Sequence, residues 1–213
     1  MQIGKGNNGL INANIHYQKE IIDSFSDIKD NAWYTSGVLY CLEHDYLNGT
    51  SDTTFAPNAK LNRAMFVTIL AKIDGADVEE YTSTSFADVA EGKWYTKTVE
   101  WAFKNDYTSG VGTDAATGKP IFGWNQYVTR QQLAVFLYNY SQKKGYDVSQ
   151  LADLSKYTDA GDVSGWAVTG VRWAIASGMI SGTSETTLSP KNTATRAQVA
   201  LIVMNYVESI ERK

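Results

Sequence analysis

The sequence predicts an all-α protein in which three helix-loop-helix units close on one another. Three observations predict it. The first is a helix start that occurs three times: Asn62-Arg63-Ala64-Met65, Thr129-Arg130-Gln131-Gln132 and Thr195-Arg196-Ala197-Gln198. Each opens a run with apolar residues at i, i+3, i+4 and i+7: Phe66, Ile69, Leu70, Ile73; Leu133, Phe136, Leu137, Tyr140; Val199, Ile202, Val203, Tyr206. The second is register. Trp33 to Gly49, Trp94 to Gly110 and Trp166 to Gly182 each span 16 positions, and Trp33 to Arg63 and Trp166 to Arg196 each span 30. The third is the long period, 67 residues from Arg63 to Arg130 and 66 from Arg130 to Arg196. A unit of this length carries two helices and a loop, and none buries its apolar faces alone.

In chain order, residues 1–24 read as a leader or linker, with Ile11, Ile15 and Ile22 as one face of a short helix. Unit one, 25–85, starts at Phe25-Ser26-Asp27-Ile28 and continues through Trp33 to a helix carrying Val38, Cys41 and Leu42. Unit two, 86–156, starts at Phe86-Ala87-Asp88-Val89 and carries Trp94, Val99, Trp101, Ala102 and Phe103 in the matching places. Unit three, 157–213, starts at Tyr157-Thr158-Asp159-Ala160 and carries Trp166, Val171, Trp173, Ala174 and Ile175. Trp94 to Arg130 spans 36 positions, so the second loop has six extra residues, within Val111 to Ile121.

The helix ends have physical signatures. Thr129 with Gln132 and Thr195 with Gln198 fit the capping box, in which hydroxyl and amide satisfy two orphan backbone N–H groups. Asn62 is a good cap, but Met65 cannot close the box. The first helix of each unit is expected to end in a left-handed residue at Asp45, at Asp106 (or Asn105) and at Gly178, since glycine adopts that conformation freely and Asn and Asp tolerate it best. Gly49, Gly110 and Gly182 mark a second turn, where the chain reverses towards the loop.

Composition excludes several classes. The 213 residues are 43% hydrophobic with a net charge of −4, enough for a core and without the basic stripe that nucleic-acid binding requires. No apolar run reaches the length of a membrane span, and the N-terminus lacks a basic-then-apolar signal pattern. Cys41 is the single cysteine, so no intrachain disulfide forms, and it reads as a small core residue. His16 and His44 lie far apart; no metal site or cofactor is expected. Acids that recur threefold fit binding sites better than one active site, and no hydrolase elbow, zinc-protease or phosphate-loop motif is present, so an enzyme is not expected.

All three arginines occupy the first helical position, where a cation faces the positive end of the helix dipole. Three repetitions of an unfavourable choice point to another task. The ordered set of Phe-x-Asp, Trp, turn Gly, Phe-x-Pro and Thr-Arg-Ala-Gln, repeated over residues 25–208, resembles the S-layer homology family. The resemblance implies a pseudo-threefold spindle with a central three-helix bundle and grooves between units. It also implies non-covalent anchoring, on the outside of a bacterium, to secondary cell-wall polysaccharide attached to peptidoglycan, often through pyruvylated N-acetylmannosamine. The parent protein would then belong to the cell wall or an S-layer lattice. The family's binding positions fall on Arg63, Arg130 and Arg196; Trp33, Trp94 and Trp166; Asp27, Asp88 and Asp159; and Gly49, Gly110 and Gly182.

The chemistry suits such a ligand. Arginine clamps a ketal carboxylate, a helix N-terminus adds donors, an indole stacks on a sugar face, and Asp accepts from hydroxyls. Each residue type also has a structural reading: bridging arginines, core tryptophans, turn-capping aspartates, turn glycines. A helical protein-recognition array is the alternative function. The Thr195–Gln198 motif is nearest the family pattern, so its site is expected to be the most competent. The second is expected to be the most altered, with Trp124 in place of Pro57 and Pro190 and an insert that either blocks a groove or adds Lys119 to it. Arg196→Ala is expected to weaken polymer binding with little change in melting.

Overall fold

The computed structural model describes residues 16–211. Ile11 and Ile15, the first part of the leader face, lie outside these residues. Residues 16–23 are helical, and Ile22 packs against the core. The helices that follow are α1 (Thr35–Glu43), α2 (Arg63–Asp74), α3 (Thr96–Lys104), α4 (Arg130–Lys143), α5 (Val168–Ala176) and α6 (Arg196–Glu211). Nearly all the regular secondary structure among the described residues is helical. The six-residue insert folds as a small antiparallel hairpin, β1 (Gly112–Thr113) with β2 (Pro120–Ile121), in which Gly112 faces Ile121 and Thr113 faces Pro120.

Helix ends follow the local chemistry. Asn62 Oδ1 accepts from Met65 N at 2.8 Å, and Thr129–Gln132 forms a full capping box. Thr195 N donates to Gln198 Oε1 while Gln198 N donates to Thr195 Oγ1. Asp45, Asp106 and Gly178 sit at φ 57°, 58° and 71°, the left-handed stops expected after α1, α3 and α5.

No first helix packs mainly on the second helix of its own stretch. The principal pairings are α1 with α6, α3 with α2, and α5 with α4. The crossing is close enough to dictate sequence. A Cβ on Gly37 of α1 would stand 2.6 Å from the Leu201 Cα, and one on Gly170 of α5 would stand 3.1 Å from Val135 Cγ2. The corresponding residue of α3 is Thr98, whose hydroxyl lies 2.9 Å from that of Thr68.

The strands of chain just before α2, α4 and α6 close a ring. Leu61 N donates to Ala194 O, Ala194 N to Val128 O, and Val128 N to Leu61 O. Isolated bridges pair Lys60 with Thr195, Asn62 with Tyr127 and Thr129 with Thr193. Below the ring α2, α4 and α6 meet in the interior: Phe66 and Phe136 rings are 5.5 Å apart, and the fully buried Tyr206 hydroxyl lies 2.8 Å from Ser141 Oγ. Each such buried apolar side chain contributes roughly 1.5–3 kcal/mol. Much of that comes from contacts between stretches far apart in sequence. Cys41 is fully buried, with Sγ 3.6 Å from Ala200 O, and burial pushes its thiol up to about 12.

Candidate functional site

The arginines stand at the same place in the ring, and each reaches into the next stretch of chain. Arg63 Nε donates to Phe122 O at 2.9 Å, Arg130 Nε to Leu188 O at 2.9 Å, and Arg196 Nε to Phe55 O at 2.8 Å. All three are buried, at 3%, 7% and 5% exposure. Burial lowers each guanidinium's pKa, with partial offset from Asp88, Asp159 and Asp27 respectively; for Arg63 the value falls to about 10, so it is still a cation at neutral pH. A guanidinium spreads its charge and tolerates burial better than an ammonium, but it needs partners for its planar fork of donors.

The backbone donors at the helix starts are engaged elsewhere, contrary to the expectation that they add to an anion site. Arg63 N and Ala64 N donate to Gln126 O and Trp124 O; Arg130 N and Gln131 N to Asn192 O and Pro190 O; Arg196 N and Ala197 N to Ala59 O and Pro57 O. With the third donor capped, the open turn of each helix is filled by the neighbouring loop. Trp124 replaces proline without changing this pattern, because the contact uses its carbonyl. Its ring stacks on Tyr95 at 4.8 Å.

The aspartates hold the loops that the arginines touch. Asp27 accepts from Phe55 N and Ala56 N, Asp88 from Phe122 N and Gly123 N, and Asp159 from Leu188 N and Ser189 N, at 2.7–2.8 Å. The second residue of each pair is left-handed: Ala56 at φ 57°, Gly123 at 72°, Ser189 at 51°. A side chain in that conformation costs roughly 1–2 kcal/mol, and the paired carboxylate bonds keep it there. The carbonyl that each arginine meets therefore points where it does because of the aspartate. Each aspartate thus positions its loop, with one backbone bond accepted by each carboxylate oxygen.

The turn glycines are required by space. A Cβ on Gly49 would lie 2.5 Å from Ser51 O and 2.7 Å from Phe25 Cε1; one on Gly182 would meet the carbonyls of Ser184 and Thr187 and the Tyr157 ring. Gly110 meets the Ile121 carbonyl in the same way and alone of the three has a left-handed φ, 91°.

Trp33, Trp94 and Trp166 are 59%, 59% and 60% exposed, which removes them from the core. Trp33 and Trp94 stand edge-on to the tyrosine that follows each. Trp101 and Trp173, by contrast, are 4% and 3% exposed and belong to the core.

Grooves form where parts of all three stretches meet. One encloses about 680 Å³ and brings together Arg63, the turn around Gly110, the α4 residues Gln132 and Asn139, and Trp166. A second, of about 240 Å³, brings together Arg130, the turn around Gly182, the α6 residues Gln198 and Asn205, and Trp33. The same register leaves Arg196, Gly49 and Trp94, and Arg196 Nη2 reaches the carbonyl of Asn48 beside Gly49. Arg63 and Arg130 thus each share a groove with the glycine of the next stretch and the tryptophan of the one after. The wall residues Gln132/Gln198 and Asn139/Asn205 were not among the sequence candidates. Their signal was present in the fixed offset from Arg, but only the helix orientation shows that this face is open. Of the insert, Val111, Gly112 and Thr113 line the Arg63 groove, while Lys119 is exposed and is not among the lining residues.

Among the described residues no helix is long and apolar enough to cross a membrane, and no cluster of His, Cys, Asp or Glu could hold a metal ion.

Comparison with known proteins gives a consistent picture. The S-layer homology domain model matches residues 24–65 and 156–200. The chain is 29% identical over 186 residues to the amylopullulanase of Thermoanaerobacterium thermosulfurigenes, covering 87% of this chain and 10% of that protein. It is 26% identical over 186 residues to the surface-layer 125 kDa protein of Lysinibacillus sphaericus, covering 86% and 15%. It is 33% identical over 95 residues to the cellulosome-anchoring protein of Acetivibrio thermocellus, covering 41% and 20%. The chain spans a fifth or less of each relative.

Proposed function

We propose that this chain, whose residues 24–65 and 156–200 are S-layer homology sequence, is a non-covalent anchor that binds secondary cell-wall polysaccharide, through pyruvylated N-acetylmannosamine units, in grooves between three tandem repeats. The chain is extracellular, at the cell wall or S-layer. The repeats are 25–85, 86–156 and 157–213 after a leader or linker segment, 1–24, and they make a pseudo-threefold spindle around α2, α4 and α6. The closed cycle of Leu61, Val128 and Ala194 bonds supports that arrangement, and the middle repeat is supported by its equivalent arginine, aspartate and turn.

The observation that carries the reading is the recurring juxtaposition of a half-exposed indole with a buried arginine in a polar groove. An indole face suits the C–H face of a pyranose, and a guanidinium recognises the carboxylate of a pyruvate ketal. The names of the relatives fit: a surface-layer protein, a cellulosome-anchoring protein and a large enzyme share this stretch as a small part of much longer chains. That is the distribution of a portable attachment module. Whatever activity the parent protein has would lie outside it.

The test is co-sedimentation of the whole chain with purified cell-wall sacculi, before and after chemical removal of pyruvate. Retention on native walls and release from depyruvylated walls is expected. Equal retention on both overturns the pyruvate assignment. No retention on either, with capture of surface proteins instead, favours a protein-recognition array.

A further inference from the structure

Near the C-terminal ends of α2 and α4, two equivalent helix junctions are filled differently. Where α3 packs on α2, a ring and an ion pair occupy the space. The Tyr107 ring stands edge-on to Trp101 at 5.0 Å and to Tyr140 at 5.1 Å. Tyr140 Oη donates to Asp74 Oδ1 at 2.7 Å, and Lys144 pairs with Asp74. Where α5 packs on α4, the same places carry other residues. Counted from Trp94 and Trp166, Trp101 corresponds to Trp173 and Tyr107 to Met179. Counted from the three arginines, Asp74 corresponds to Ser141, Tyr140 to Tyr206 and Lys144 to Ile210. The hydroxyl contact persists, with Tyr206 Oη 2.8 Å from Ser141 Oγ. The ring and the ion pair do not, because methionine, serine and isoleucine stand for tyrosine, aspartate and lysine. Among these residues lies a pocket of about 300 Å³, bordered by Trp173, Met179, Ile210, Ser141 and residues 145–147.

We propose that this pocket is a binding site for one neutral phenol ring, separate from the arginine grooves and independent of the anchoring reading. The ligand ring takes the place that Tyr107 holds in the preceding junction. The walls suit it. Trp173 is 3% exposed and is held edge-on by Tyr138 at 5.7 Å, so its indole is fixed before a ligand arrives. Aromatic pairs prefer such edge and offset contacts, and the Met179 thioether packs well against a ring edge. A volume of about 300 Å³ is at the low end for small-ligand pockets, and a dry cavity of about half that size already holds a benzene ring. Ser141, 1% exposed, supplies the polar group. A serine hydroxyl has one donor and two acceptor sites, so its contact with Tyr206 leaves capacity for the ligand hydroxyl. The lining holds no Lys, Arg or His and includes Asp147. A carboxylate would meet a like charge there, which excludes the sugar acid proposed for the grooves. The ring can arrive as a free phenol or as the tyrosine side chain of another polypeptide.

The experiment is calorimetric titration of the whole chain with p-cresol, which is the tyrosine side chain without its backbone, and with N-acetyl-tyrosinamide. One p-cresol per chain is expected, with a Kd of about 1 mM or tighter, within reach of a ligand of this size. Met179→Tyr restores the residue of the preceding junction. Its own ring is expected to fill the pocket, weakening p-cresol by at least about tenfold and raising the melting temperature as other cavity-filling changes do. Met179 also borders the Arg130 groove, so Ile210→Lys serves as the second variant. Ile210 is half-buried and lies outside that groove, and lysine stands at the corresponding position 144. Ile210→Lys is expected to weaken p-cresol by at least about threefold, because an apolar wall is lost, and to leave retention on sacculi unchanged. Binding of p-cresol alone assigns the site to a free phenol; binding of both ligands assigns it to a tyrosine side chain. Absence of saturable binding by either ligand overturns the proposal. So does binding of the amide alone, or an unchanged Kd for p-cresol in Ile210→Lys or in folded Met179→Tyr.

Discussion

Gly37 of α1 lies against the backbone of Leu201 in α6, so close that a Cβ would stand 2.6 Å from the Leu201 Cα. The two residues are far apart in sequence, and their contact joins one end of the chain to the other. Gly37→Val is expected to destabilise by about 3 kcal/mol or more, at the upper end of overpacking costs, because backbone cannot yield as a side chain does. A Cβ on Gly170 would meet Val135 Cγ2, Cα and N at 3.1, 3.2 and 3.3 Å, a wider clearance, so Gly170→Ala is expected to cost less. Thermal or urea unfolding of the two variants decides the order.

Arg196→Ala is expected to lower stability by about 2 kcal/mol, since it strips a charged donor from the carbonyl of the buried Phe55 and from that of Asn48. The sequence alone predicts loss of binding with unchanged melting. The change of expectation comes from Arg196 Nε on Phe55 O, Nη2 on Asn48 O, and the guanidinium 4.6 Å from the Phe55 ring centre. A melting curve that matches the parent protein would return the arginine to a purely binding role.

Ala56→Gly is expected to stabilise slightly, by about 0.5 kcal/mol. Relief of the left-handed φ of 57° is worth roughly 1–2 kcal/mol, against about 0.5–1 kcal/mol of added chain entropy in the unfolded state. Gly123 already occupies the same place in the second loop. A lower denaturation midpoint in Ala56→Gly would show that the alanine methyl makes contacts worth more than the strain.

Acid should loosen the loops before the bundle. The Leu188 N–H holds the Asp159 carboxyl below the usual range, with burial opposing and the Ser189 N–H assisting. Bonds from Asn48 and then Lys72 lower Asp45 in the same sense. A carboxyl with a depressed folded pKa stabilises fully above its unfolded value of about 4, and that contribution is lost as pH falls through the lower folded value. Stability is therefore expected to be flat near neutrality and to fall below about pH 4. Asp159→Asn should be less stable at neutral pH and show a shallower acid limb in denaturant titrations at stepped pH.

The sequence by itself determined what is local. Caps at Asn62, Thr129 and Thr195 and the left-handed stops at Asp45, Asp106 and Gly178 involve residues a few positions apart, and their chemistry is fixed by type and spacing. Helix content and the buried faces of α2, α4 and α6 follow from periodicity in the same way. Tertiary structure decided the assembly of the grooves. That Arg63 faces the Gly110 turn and Trp166, and not Trp33 of its own stretch, depends on which helix packs on which. Three stretches that share one order of motifs leave that choice open, because the same motif order fits either cyclic arrangement. The inequality of the arginines was equally hidden. It rests on Arg130 and Arg196 reaching the carbonyls of Ser181 and Asn48 while Arg63 Nη2 has no hydrogen-bond partner, and where a carbonyl points is a property of the folded ring that no residue type records.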